Sequence, residues 1–191
     1  MIGEKTKEFP RTQAPAFGDE VFRAEEVTLP RAGGGYAVDH VSLSVRKGEI
    51  VGLYGLMGAG RTEFLECIMA QHPASGGRMF VGGEPLRERD VAGRIARGIA
   101  LIPEDRKTEG IVADLSIREN IILALQARRG IFRYLPTRLQ TAMADDYIKQ
   151  LGIRTPDAEK PIGQLSGGNQ QKALLARWLA TDPKMLILDE P

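Results

Sequence analysis

The sequence contains a single cysteine, so no disulfide can form within the chain. It also lacks long apolar runs: those at residues 50–58 and 121–125 fall well short of the roughly 20 residues needed to cross a bilayer. The N-terminus has no basic segment followed by an apolar one, which is the pattern of a secretory signal. We therefore expect a protein of the reducing cytoplasm that does not span a membrane.

An excess of charge of either sign is absent as well. The 26 basic and 25 acidic side chains of the 191-residue chain nearly cancel, so no domain-wide positive field would gather nucleic acid or anionic lipid. Apolar residues make up 42% of the chain, which is typical of a globular protein. A chain of this length holds one ordinary core, with room for a small accessory subdomain.

Alternating strand and helix patterns predict an α/β fold. After a linker over residues 1–20, VDHVSLSV alternates like a half-buried strand, and IVGLYG is typical of a buried strand running into a glycine-rich loop. Further strand patterns lie in GGRMFVGGEPL, IALIP and KMLILDEP, and helical patterns in residues 62–70 and in DVAGRIARG. These patterns predict a domain over residues 21–191.

Capping patterns predict a small α-helical insert at about residues 105–161. Ser116 and Glu119 have the spacing of a capping box, and Gly130 is placed to end that helix. A second helix has the same pattern: Thr137 and Gln140 have the spacing of a capping box, and Gly152 is placed to end the helix. A third helix is predicted in LSGGNQQKALLARWLATD.

The glycine-rich loop after IVGLYG has the outline of a phosphate-binding loop. Glycine amides and a helix N-terminus can surround phosphate oxygens, and a threonine hydroxyl at the helix start can ligate Mg²⁺. An arginine stands where such loops carry lysine, and a plain strand-to-helix turn is the alternative interpretation. The candidate phosphate-binding residues are Gly55, Gly58, Ala59, Gly60, Arg61 and Thr62, and Thr62 is also a candidate metal ligand.

Two carboxylates, Asp189 and Glu190, follow the apolar strand at the end of the chain. A strand of that kind would hold Asp189 near a magnesium ion and leave Glu190 to orient or deprotonate a water molecule. A pair of solvated acids at a strand end is the alternative.

The stretch LSGGNQQK, residues 165–172, offers a second phosphate cradle. Ser166 supplies a hydroxyl, Gly167 and Gly168 supply unobstructed N–H groups, and the following helix directs its positive end toward an anion. One nucleotide does not require two such cradles, unless the second serves the nucleotide of a neighbouring domain.

The order of these three elements resembles that of the ATP-binding cassette (ABC) ATPases over about residues 21–191. In that family two cassettes dimerise head to tail, and each ATP lies between one cassette's P-loop and the other's LSGGQ-type signature. GLMGAGRTE, PEDRKTEG, SIRENIILALQ and QLSGGNQQK further resemble the second cassette of two-cassette ATPases that power bacterial simple-sugar importers. The implied fold is a P-loop NTPase core with an antiparallel β edge subdomain, truncated after the Walker B strand.

The resemblance also implies ligands and roles. ATP and Mg²⁺ are the expected cofactors, and Glu190 is the expected catalytic carboxylate. Glu104 occupies the place of a glutamine that senses the metal and the attacking water, which makes it both a catalytic and a metal candidate. Tyr36 is the candidate for stacking on adenine, with Arg31 as the alternative.

The implied partners are a first cassette on the same parent polypeptide or a homologous cassette, transmembrane permease subunits and, indirectly, a periplasmic sugar-binding protein. Nucleic acid is not an expected partner, and the expected place is the cytoplasmic face of the bacterial inner membrane. A catalytically degenerate cassette that only donates its signature, and an ABC ATPase outside transport, are the alternatives. The family's catalytic histidine falls after Pro191, so we expect the isolated chain to hydrolyse ATP negligibly.

Overall fold

An antiparallel sheet and a parallel strand pair, each packed against helices, make up the fold. A computed structural model describes residues 17–105 and 110–189, apart from the side chain of Ile131. The linker predicted at residues 1–20 lies largely outside the described residues. The strands are β1 (Glu20–Pro30), β2 (Tyr36–Arg46), β3 (Gly76–Val81), β4 (Glu84–Pro85), β5 (Ile99–Ile102) and β6 (Met185–Leu188), and the helices are α1 (Arg61–Ile68), α2 (Val91–Ala96), α3 (Ile117–Arg129), α4 (Thr137–Leu151) and α5 (Gly167–Leu179).

The antiparallel sheet has the strand order β2-β1-β3-β4. Alternate residues of β1 face the core, as the period of two in a half-buried strand requires. The register shifts between Ala24 and Val27, where Glu26 has a φ of 51°, so the inward face resumes after a bulge. The half-buried strand predicted in VDHVSLSV is confirmed as part of β2.

The second sheet consists of β5 and β6, which pair in parallel with Ile99 opposite Met185 and Ile102 opposite Leu188. All four residues of β5 are buried, as the apolar run IALIP predicts. In β6 only Ile187 is buried, and Leu188 is 44% exposed. The carboxyl ends of both strands therefore meet at one edge of this sheet.

The buried strand predicted in IVGLYG is wrong. Residues 51–56 have no regular secondary structure, and Ile50 and Tyr54 are 97% and 99% exposed. Within residues 17–105 and 110–189, β6 pairs only with β5, so this apolar run has no strand beside it. Apolar sequence alone does not make a strand, because the backbone N–H and C=O groups also need a hydrogen-bonded neighbour.

The predicted helices are present, but one predicted cap is wrong. In α3, Ser116 Oγ accepts from the Glu119 N–H at 3.1 Å and Glu119 Oε2 accepts from the Ser116 N–H at 2.8 Å, which is a complete capping box. In α4 the N-cap is Pro136, and Thr137 is already the first helical residue. Gln140 is buried and donates to the carbonyl of Leu135 at 2.6 Å. Its side chain therefore bonds to a loop carbonyl and does not form a capping box.

Two main clusters of buried side chains fix where the functional elements lie. The first joins α1 to the antiparallel sheet and to β5 and β6. The second joins α3, α4 and α5, with Ile117 and Ile162 fully buried. The glycine-rich loop therefore belongs to the sheet side of the molecule and the LSGGNQQK turn to the helical side. No helix within residues 17–105 and 110–189 is long and apolar enough to cross a membrane.

Candidate functional site

The glycine-rich loop, residues 55–60, ends directly before Arg61, the first residue of α1. Gly60 is the N-cap of α1, with φ 83° and ψ 16° in the left-handed region. A Cβ at this position would overlap with the carbonyl oxygen of Ala37, whose carbon lies 3.2 Å away. Two features therefore require glycine at this position: the left-handed backbone angle and the close approach to β2.

The loop curls back on itself. A Cβ on Gly55 would lie 3.3 Å from Cβ of Ala59 and 3.6 Å from Cδ of Arg61, so the arginine stem passes over the first glycine. Arg61 and Thr62 occupy the first turn of α1, where helices leave backbone N–H groups without intrahelical acceptors. This loop can therefore present amide donors, a guanidinium group and a hydroxyl group to an anion.

Tyr36 lies next to this loop, because it precedes Ala37, the residue against which Gly60 packs. Its side chain is 47% exposed and contacts His40 edge to face, with the ring centroids 5.5 Å apart. Arg31, the alternative candidate, closes the β1–β2 turn through a hydrogen bond from its N–H to the carbonyl of Gly35. An exposed aromatic face beside a phosphate-binding loop is suited to stacking on a planar base.

An acidic edge lies at the carboxyl ends of β5 and β6. The N–H of Asp189 donates to the carbonyl of Ile102 at 3.0 Å, which places Asp189 beside the segment that leads to Glu104. Asp189 is buried and Glu104 is exposed. Two of the predicted carboxylates are thus brought to one edge of the sheet, while Glu190 lies outside the described residues.

The LSGGNQQK turn is the N-terminus of α5, with Ser166 as the N-cap. Ser166 is exposed and makes no capping hydrogen bond; its hydroxyl accepts from the Asn169 side chain at 3.0 Å. Nothing lies within 4 Å of a Cβ added to Gly168, so the first turn of α5 faces open space. The hydroxyl group and the amides of Gly167 and Gly168 can therefore meet an external anion without rearrangement of the backbone.

Two amide side chains that the sequence did not single out hold this turn in place. Gln170 is buried and donates to the carbonyl of Leu165 at 3.1 Å. Asn169 also accepts from the N–H of Arg154 at 3.0 Å, which ties the turn to the end of α4. The double amide in GGNQQ is the only signal in the sequence that could have identified them.

A buried arginine links α5 to α3, and it was also missed. Arg177 donates from Nε to the carbonyl of Asn120 at 2.7 Å, from Nη2 to Asn120 Oδ1 at 2.6 Å and from Nη1 to the carbonyl of Gly110. Burial lowers the pKa of Arg177 to about 10, so the side chain remains a cation at neutral pH. Since arginines are usually exposed, its helical spacing gave no reason to place it inside.

The donor set of the sheet side fits a magnesium-bound polyphosphate. No group of three or more histidine, cysteine or carboxylate residues clusters as a metal site in the described part of the chain. Mg²⁺ in phosphate sites needs only one or two protein ligands, because phosphate oxygens and water supply the others. Thr62 in the first turn of α1 and Asp189 at the acidic edge would be the two protein ligands.

Comparison with known proteins agrees with this geometry. The family described as "ABC transporter" matches residues 38–191. The galactofuranose transporter ATP-binding protein YtfR of Escherichia coli strain K12 is 56% identical over 149 residues, covering 78% of this chain and 30% of that protein. The ribose import ATP-binding protein RbsA of Rhodopirellula baltica is 41% identical over 194 residues, covering 100% of this chain and 38% of that protein.

Among solved structures, the ATP-binding cassette MJ0796, a dimer in a post-hydrolysis state bound to ADP and Pi, matches with a TM-score of 0.74. The sequences are 24% identical, and the match covers 89% of this chain and 74% of the MJ0796 chain. This likeness confirms the predicted cassette fold. The chain spans 30% to 38% of the length of the two curated relatives. The extent of the family match, together with the fold and the order of its motifs, establishes that this chain belongs to the ABC transporter family.

Proposed function

We propose that this chain is an ATP-binding and ATP-hydrolysing cassette that powers import of a simple sugar through an ABC transporter. The observation that carries the proposal is the exposed LSGGNQQK turn at the N-terminus of α5, in a chain whose relatives are named as galactofuranose and ribose import ATP-binding proteins. The 56% identity to YtfR favours galactofuranose as the sugar.

In this proposal the sheet side holds one nucleotide. The amides of residues 58–62 and the Arg61 guanidinium bind phosphate oxygens, Tyr36 stacks on adenine, and Thr62 and Asp189 hold Mg²⁺. Bound magnesium would neutralise charge that develops on the transferring phosphoryl group. Glu190 would take a proton from the attacking water, and Glu104 would orient that water at the acidic edge.

The two cradles serve different nucleotides. Ser166, Gly167 and Gly168 complete the site of a second cassette, whose own P-loop supplies the lysine that this chain lacks. Arginine is longer and forked, so it can bind phosphate while placing its charge differently from lysine in the transition state. A misplacement of about 1 Å can cost on the order of a hundredfold in rate. We infer that the site completed by this chain's signature carries most of the turnover.

The cassette would act on the cytoplasmic face of the bacterial inner membrane, bound to permease subunits that receive sugar from a periplasmic binding protein. Residues 104–110 would transmit nucleotide-driven closure to the permease. Support for this assignment comes from the buried link between Gly110 and the signature helix, described above.

The test is steady-state ATP hydrolysis and sugar uptake by the full-length transporter carrying single substitutions. Ser166→Arg places bulk and charge in the signature cradle and should lower turnover by about a hundredfold or more. Arg61→Ala should leave most of the turnover, because it alters the slower site. Ser166→Ala removes only the hydroxyl group and should lower turnover less than Ser166→Arg does; Ser166 is exposed and makes no capping bond whose loss would destabilise α5.

The opposite ranking, with Arg61→Ala abolishing hydrolysis and Ser166→Arg tolerated, would reject the assignment of the two sites. Equal ATPase activity in all four proteins would reject the role of the signature cradle, and an unmodified transporter without ATP-dependent sugar uptake would reject the function itself. Thermal unfolding of each variant distinguishes these outcomes from a folding defect.

A further inference from the structure

A cavity of about 740 Å³ lies between β3, β4, the segment leading to α2, and α2 itself. None of its lining residues belongs to the glycine-rich loop, the acidic edge or the LSGGNQQK turn. Its lining is strongly basic, with four arginines and a single glutamate: Arg78, Arg87, Arg89, Arg94 and Glu88.

Arg94 is the unusual member of this set, because it is only 7% exposed. Its Nε and Nη1 atoms are buried, and neither has a hydrogen-bond partner within residues 17–105 and 110–189. Burial lowers the pKa of Arg94, while the nearby carboxylates of Glu88 and Asp90 act in the opposite direction. Buried guanidinium N–H groups without acceptors are unfavourable unless an anion compensates for them.

Glu88, the carboxylate within the cavity, offsets part of the charge of Arg94 but makes no hydrogen bond to its Nε or Nη1. Glu88 Oε2 is itself buried without a hydrogen-bond partner in the described residues, and Oε1 lies 3.8 Å from Nε of Arg97. Arg78 is paired outward with Glu25 at 2.9 Å. Arg87 and Arg89 are exposed at the rim and keep the cavity net positive.

We propose that this cavity is a further anion-binding site of the cassette, which takes a phosphate group in contact with Arg94, with Arg87 and Arg89 at its mouth. A guanidinium group makes charge-assisted hydrogen bonds to phosphate oxygens, and low exposure strengthens them. The phosphate group belongs either to a free small molecule or to a phospholipid headgroup. This site is separate from the nucleotide site and does not depend on the proposed transport function.

The test uses the full-length protein and two probes. Radiolabelled inorganic pyrophosphate is measured by equilibrium dialysis, and vesicles of phosphatidylcholine with phosphatidylglycerol are measured by flotation against phosphatidylcholine alone. The variants are Arg94→Gln, Glu88→Gln, the double change Arg87→Gln and Arg89→Gln at the exposed rim, and the control Arg97→Gln. The control removes the same charge from the C-cap of α2, outside the cavity lining. The glycine-rich loop is unchanged in every variant, so the amount of pyrophosphate that it binds is the same in each and cancels when the variants are compared.

We expect Arg94→Gln to weaken binding of at least one probe by about tenfold or more, and the rim double variant to weaken it less. Arg97→Gln should bind like the unmodified protein. Glu88→Gln should strengthen binding, because it removes a like charge from the cavity. Loss with pyrophosphate assigns the site to a free phosphate, and loss with anionic vesicles alone assigns it to a headgroup.

The proposal is overturned if neither probe distinguishes Arg94→Gln from Arg97→Gln. It is also overturned if Glu88→Gln lowers the melting temperature as much as Arg94→Gln does while leaving binding unchanged. That result would make Glu88 and Arg94 an internal ion pair. The rim variant keeps the test valid if Arg94→Gln fails to fold, because Arg87 and Arg89 are exposed.

Discussion

Gly60 and Gly58 form a matched pair for testing how the glycine-rich loop is held. Both have left-handed backbone angles, with φ values of 83° and 76°. They differ in their surroundings, because a Cβ at Gly60 would overlap with the Ala37 carbonyl oxygen while one at Gly58 meets nothing within 4 Å. Alanine at either position carries the same backbone cost, and only Gly60→Ala adds a steric one.

The expected magnitudes follow from these two terms. A left-handed angle costs a non-glycine residue about 1–2 kcal/mol, which is the whole effect expected for Gly58→Ala. Overpacking adds about 1–3 kcal/mol, so Gly60→Ala should lower the free energy of unfolding by about 2–5 kcal/mol. Because β2 or the loop must shift to relieve the overlap, Gly60→Ala should also weaken ATP binding more than Gly58→Ala does.

Urea unfolding at fixed pH measures both variants against the parent protein, and an unchanged m-value shows that the comparison is valid. Fluorescent-nucleotide titration supplies the binding constants. Equal destabilisation by the two substitutions would refute the close approach of Gly60 to β2. Destabilisation by Gly60→Ala without any change in ATP binding would refute the role of this loop in holding phosphate.

Two further predictions concern buried groups. Asn120→Ala should lower the free energy of unfolding by about 3 kcal/mol, since it removes the side chain that accepts from Arg177 and leaves that cation partly unpaired. Urea unfolding measures this change, and a loss below about 0.5 kcal/mol would contradict a stabilising role for the hydrogen bonds between Asn120 and Arg177. Burial raises the pKa of the Cys67 thiol to about 11 from a reference value of 9.0, so the folded state retains a proton that the unfolded state releases between these pH values. Stability should therefore fall as pH rises from 9 to 11, by at most about 2–3 kcal/mol from this group. Cys67→Ala should remove that part of the pH dependence, and identical urea midpoints against pH for both proteins would contradict it.

Locally determined features were predictable from the sequence. The capping box of α3 needs only Ser116 and Glu119 at the correct spacing, so it forms as expected. The strand predicted in IVGLYG is not formed, because a strand needs a hydrogen-bonded neighbour and the sequence of the segment does not show whether one is present. Thr137 failed as a cap because Gln140 found a buried carbonyl acceptor, a tertiary contact that outweighs local spacing.

For the candidate site, the sequence predicted the cradles but not their supports. Ser166 and Gly60 belong to motifs with a recognisable spacing, and both lie at helix N-termini as expected. Arg177 and Arg94 carry no motif, and their burial arises from where α5 and α2 pack. The burial of a charged side chain depends on how distant elements pack, so the sequence alone does not predict it.

The bonds of Arg177 have a mechanical consequence. This one side chain joins α5, the helix that follows Ser166, to the carbonyl of Gly110. If α5 slides along its axis, it must pull Gly110 with it or break charge-assisted bonds worth about 1.5–3 kcal/mol each. A displacement of α5 at its Ser166 end would therefore displace the backbone at Gly110, without unwinding of any helix.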